Sequence, residues 1–189
     1  MDSATQNDHL SRITEPIVEL ETLAHTLARQ ALHAKSAFPR KLSPAVRRFI
    51  RDFGANVGMA FEGEAGEEDF RSALVQIVYC ALFADWLLWL QSESAAVYGW
   101  RNLETRLQIP FLRELFKEIR YPHLIGDLAL ASHLDLASET LSRVEIEKFR
   151  EHTICSISEA LSETEQSVAT AILHFQEPFL ETFDLAVYE

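Results

Sequence analysis

The stretch "LVQIVYCALFADWLLW", residues 74–89, decides the fold. It is apolar on nearly every side of a helical wheel, with Gln76 and Asp85 as its interruptions. Such a segment is either a membrane span or the helix around which other helices pack. Asp85 weighs against the bilayer, because a carboxylate near its centre costs about 2.5–3.5 kcal/mol on insertion scales and offsets most of what the Leu, Ile, Val and Phe side chains contribute. Arg71 and the acids before it form no usual anchoring pattern. The reading is a central buried helix over about residues 70–91, in a protein with no membrane role.

Composition agrees. Among 189 residues, 6 Gly and 6 Pro against 48% hydrophobic content leave little material for the turns of a many-stranded sheet. The expected class is all-α, an irregular helical bundle around the apolar helix. Thr14 can cap a first helix with Pro16 in its first turn, and Ile17, Leu20, Ala24, Leu27 and Ala31 recur at helical spacing to about Ala37. Ser43 before Pro44 opens a second, through Val46, Phe49, Ile50 and Phe53 toward Met59. In "LQIPFLRELFKEI", residues 107–119, Pro110 opens a helix whose Phe111, Leu112, Leu115, Phe116 and Ile119 share one face. Shorter helices run through "LIGDLALASHL" and "RVEIEKFREH". The last begins at Ser162, which stands at capping-box spacing from Glu165. Pro178 removes the bond to the His174 carbonyl and should kink or break it.

Charge is unevenly placed. The chain carries 29 acidic against 17 basic residues, net -12, which disfavours non-specific attraction to nucleic acid or anionic lipid. Yet residues 29–51 hold seven basic side chains and no acid, and "EGEAGEED", residues 62–69, then places five acids and two glycines in what reads as a flexible loop. Arg40, Lys41, Arg47, Arg48 and Arg51 either contact DNA phosphates or balance the acidic stretch.

The motifs of chemistry are missing. No GxGxxG, Walker A, GxSxG, HExxH or Glu-x-Lys occurs, nor an Asp or Asn followed by two prolines. Cys80 and Cys155 are too far apart for CxxC spacing, which suits a reducing cytoplasm, and the first 16 residues do not form a signal peptide. His152 and Cys155 stand three apart without a third group to orient them, and His25 and His33 lie two turns apart, too far to share a metal from one helix. Asp85 reads as a satisfied structural carboxylate, and Tyr79, Trp86 and Trp89 as core. No residue is assigned to catalysis, cofactor or metal.

One further stretch, "ILHFQEPFLETFD", residues 172–184, is amphipathic: Val168, Ile172, Phe175, Phe179 and Phe183 form one stripe. With residues 74–89 and 107–119 it resembles, in order and separation, the helical region that precedes the catalytic domain in large DNA adenine-N6 methyltransferases of restriction-modification systems, including the single-chain type ISP enzymes. The resemblance covers roughly residues 65–184. Phe175, Glu177, Phe179 and Leu180 match the family's Phe-x-Glu-x-Phe-Leu helix, which leads through an Asp-Pro turn into the S-adenosylmethionine-binding fold; here Leu185 follows Asp184 in place of the proline.

The resemblance implies a disordered arm over residues 1–13, a coupler-like helical domain over 14–184, and in 185–189 the start of a connection to a methyltransferase domain. It implies a non-catalytic role, with Phe175, Phe179 and Phe183 coupling the domains, and with DNA and S-adenosylmethionine reached through the parent enzyme. The alternative is an independent acidic helical adaptor that binds another protein.

Overall fold

The computed structural model describes residues 17, 19–91, 97–149 and 164–185. The expected arm, Thr14 with Pro16, Ser162, His152 and Cys155 lie outside the described residues. Within the described residues the protein is all-α, and an isolated parallel bridge between Ile17 and Val144 is the one extended pairing.

At its centre is α3 (Gly63–Gln91), 29 residues long. Phe70, Leu74, Val75, Val78, Tyr79, Leu82, Phe83 and Trp86 are all buried on it. Because these positions point to several sides, the helix has to be covered from several directions. By length and composition, residues 63–90 would suffice to cross a membrane; in this fold 56% of that segment's most apolar window is buried against its neighbours.

Covering it begins with α1 (Leu20–Ser36), whose buried face is Leu23, Ala24, Leu27, Ala28, Ala31 and Ala34. Four alanines keep that face thin, so α1 lies close to α3 and also to α6 (Leu130–Ser142) and α7 (Thr164–Leu185). α2 (Pro44–Val57) starts as its sequence demands, the Ser43 hydroxyl accepting from the Val46 N–H at 3.3 Å, and ends at Gly58 with φ 72. A cluster of rings ties it down: Phe53 meets Phe70 edge-on at 5.3 Å and lies 5.6 Å from Phe111 on α5 (Pro110–Arg120). Between α3 and α5 run a 3-10 turn (Trp100–Asn102) and the short α4 (Leu103–Arg106).

Four expectations change. α1 begins at Leu20, not near Thr14, because the backbone at Ile17 is used in the bridge and accepts the Glu145 N–H at 3.1 Å. The acidic stretch is not a flexible loop: from Gly63 onward it forms the first turns of α3, where carboxylates meet the positive end of the helix dipole. Gly66 serves close packing rather than freedom, since a Cβ there would stand 2.4 Å from the Phe61 carbonyl carbon. "LIGDLALASHL" divides into a 3-10 turn (Gly126–Leu128) and α6, with Ala129 at φ 51 between them. Finally, Pro178 does not break α7: Phe175, Phe179 and Phe183 sit buried on both sides of it, and His174, whose amide partner is lost, is at an exposed position where water can serve its carbonyl.

Candidate functional site

The basic cluster separates into two groups. Lys35 reaches Glu68 at 2.7 Å, and Arg47 on α2 reaches Glu67 at 3.2 Å. These pairs join α1 and α2 to the start of α3, and Arg71, absent from the cluster as read in the sequence, adds a contact to Glu68 at 3.8 Å. Arg29, Arg40, Lys41, Arg48 and Arg51 are exposed and have no ion pair among the described residues. Charge balance with the acidic stretch therefore accounts for Lys35 and Arg47, and not for the other five.

Asp85 is fully buried and has the role expected of it. Arg106 from α4 grips it with two bonds, Nε to Oδ1 at 2.8 Å and Nη2 to Oδ2 at 2.5 Å, and Nη2 also reaches the Gly99 carbonyl at 3.3 Å. The bidentate bond to Asp85 raises the guanidinium's pKa further, so Arg106 keeps its charge. Tyr98 stands beside it with its ring 5.6 Å from the guanidinium, and its hydroxyl donates to the Leu82 carbonyl at 3.0 Å. Burial, then the neighbouring Asp85 charge, push that phenol well above its ordinary pKa, which keeps the proton in place. Both Asp85 oxygens and the Tyr98 hydroxyl are partnered within the chain, so the arrangement is a lock between α3 and α4 rather than a reactive centre.

The aromatic stripe faces inward. Phe175, Phe179 and Phe183 are fully buried. Phe175 stacks on Phe83 at 3.8 Å, Phe179 lies 5.3 Å from Phe175 and 6.5 Å from Tyr79, and the Lys35 ammonium sits 5.7 Å above Phe183. His25 bonds Thr182 at 2.5 Å alongside. The rings expected to couple to another domain are thus occupied by α1 and α3 of this chain.

Cys80 is a half-buried free thiol whose pKa burial pushes up to about 11, too high for a thiolate nucleophile at neutral pH. His25 and His33 point to different neighbours: His33 lies against His133 of α6, ring centroids 5.6 Å apart. No signal in the sequence pairs two histidines a hundred positions apart. Among the described residues no three His, Cys, Asp or Glu side chains gather to hold a metal. No family model matches the chain, and no curated protein or solved structure matches it either.

Proposed function

We propose that this chain is the non-catalytic helical domain of a DNA adenine-N6 methyltransferase or restriction-modification enzyme, and that it holds the methyltransferase domain in position through α7. The observation that carries the reading is the seam of Phe175, Phe179 and Phe183 against α1 and α3. A helix fixed along three turns of its inner face gives whatever follows it a defined origin and direction, which a flexible tether would not. Coupling then works through the rigidity of α7 instead of through rings left bare for the next domain. S-adenosylmethionine would be held by that next domain, which would extrude the target adenine from the duplex. DNA would be reached through the parent enzyme, in the cytoplasm.

The second reading, an acidic helical adaptor for another protein, rests on the net charge of -12. One experiment separates them. The purified 189-residue chain and a version extended by the downstream coding sequence are each incubated with labelled S-adenosylmethionine and DNA. Transfer by the extended protein alone, lowered by a Gly/Ser insertion after Leu185, is the expected result. Transfer by the short chain overturns the assignment, and silence of both favours the adaptor.

A further inference from the structure

An open groove of about 580 Å³ lies where the end of α1, the connection to α2 and the start of α3 meet. Its charged lining is Lys35, Arg40, Arg71 and Glu68, with His33 at the rim. Three cations face one carboxylate, so this groove is positive in a chain whose net charge is -12. It is also built: Arg71 is buried and donates through Nη2 to the carbonyls of Pro39 and Arg40, at 2.8 and 3.2 Å, fixing the loop from which Arg40 projects. Lys35 is held nearly buried over Phe183. Glu68 differs from all of these. It serves both Lys35 and Arg71, yet its side chain is 57% exposed and can swing into water without breaking any packing.

We propose that the groove binds a phosphate group, with Glu68 as an internal stand-in that the phosphate displaces. A free phosphate brings more acceptor oxygens and more charge than a carboxylate, and a DNA phosphodiester, singly charged like Glu68, brings the negative field of its neighbours along the strand, so either can engage Lys35 and Arg71 together with Arg40, which has no ion pair among the described residues. In the function proposed above, on which this choice of source rests, the phosphate belongs to the DNA backbone; a free phosphate offers the same chemistry.

The test titrates the 189-residue chain with a short DNA duplex, followed by fluorescence anisotropy, and separately with inorganic phosphate, followed by calorimetry. Arg40→Ala should weaken binding by about tenfold or more and lower the salt slope for the duplex by about 0.9. Arg113→Ala removes the same charge from an exposed position on α5, outside the lining, and should leave both unchanged. Glu68→Gln should strengthen binding severalfold, an outcome that general damage to the fold would not produce, and circular dichroism checks that each variant is helical. Binding of the duplex with these three responses places the source in DNA; binding of inorganic phosphate alone with the same responses places it in a small ligand. No binding of either, equal losses from Arg40→Ala and Arg113→Ala, or weakening by Glu68→Gln overturns the proposal. Methyl transfer is not part of the readout, so a groove that binds phosphate in a protein that never methylates DNA would stand while the methyltransferase reading fell.

Discussion

α3 meets charge at both ends of its length and treats it oppositely. Near its start, Glu67 and Glu68 meet Arg47, Lys35 and Arg71 through single contacts of 2.7 to 3.8 Å, and each pair has one partner more than half exposed. Further along, Asp85 is sealed from water and bound by Arg106 through two atoms at once. The residue chemistry is alike, so the difference lies in solvent. Where one partner is open to water, solvent competes for it and the pair contributes little; in the interior, each partner exists only because the other is there. The start of α3 is held by packing, with Gly66 against Phe61 and Phe53 against Phe70, and its charges are an addition.

The largest effect should come from breaking the sealed pair. Arg106→Ala leaves Asp85 charged and unpartnered, which in buried pairs costs about 3–5 kcal/mol; the low end is expected because the Arg106 side chain is 26% exposed and water can follow it in. Urea denaturation reads the loss directly. The sharper measurement is the double variant Asp85→Leu with Arg106→Leu, which removes both charges and should recover most of the stability. A double variant as unstable as Arg106→Ala would mean that the pair contributes net stability beyond its own desolvation, and the contrast between the two ends would weaken.

A smaller effect tests the claim that packing fixes the start of α3. Gly66→Ala forces a methyl group to within 2.4 Å of Phe61 backbone, and backbone cannot rotate aside as a side chain would. Overpacking of this kind costs about 1–3 kcal/mol, offset by up to about 1 kcal/mol of improved helix propensity. A net loss of about 1–2 kcal/mol in thermal or urea unfolding is expected. A stabilised variant would show that the approach of Phe61 relaxes freely and that the glycine is there for some other reason.

The two ends also differ in how much of them the sequence revealed. The apolar run announced α3, and Ser43–Pro44 and Pro110 announced α2 and α5, because caps and periodicity are local properties that survive tertiary contact. Asp85 was legible as structural from its apolar surroundings, although Arg106, 21 positions away, was not legible as its partner. The acidic stretch misled because Gly and clustered acids read alike in a loop and in the first turns of a helix; what separates them is Phe61 beneath Gly66 and the cations of α1 and α2, all supplied by other parts of the chain. The stripe of Phe175, Phe179 and Phe183 was visible as a stripe, but an amphipathic helix does not say whether its apolar face meets its own chain or another. Likewise the basic cluster gave no sign that Lys35 and Arg47 are paired while Arg40 is not, since that division depends on where Glu67 and Glu68 lie once α3 has formed.

The smallest effect belongs to the exposed pair of Arg47 and Glu67. Their 3.2 Å contact has the geometry of an ion pair, but the Arg47 side chain is 56% exposed, so ordering it opposes much of what attraction at high dielectric supplies. Single substitutions, Arg47→Ala and Glu67→Ala, mix this contact with helix propensity and with the dipole at the start of α3, where Glu67 is favoured whatever its partner. The double-mutant cycle removes those shared contributions and should give a coupling of about 0.2–1 kcal/mol, declining toward zero as salt rises above about 0.5 M. A coupling that stays large in high salt would mean that this pair is shielded from water as Asp85 is, and the two ends of α3 would then follow one rule instead of two.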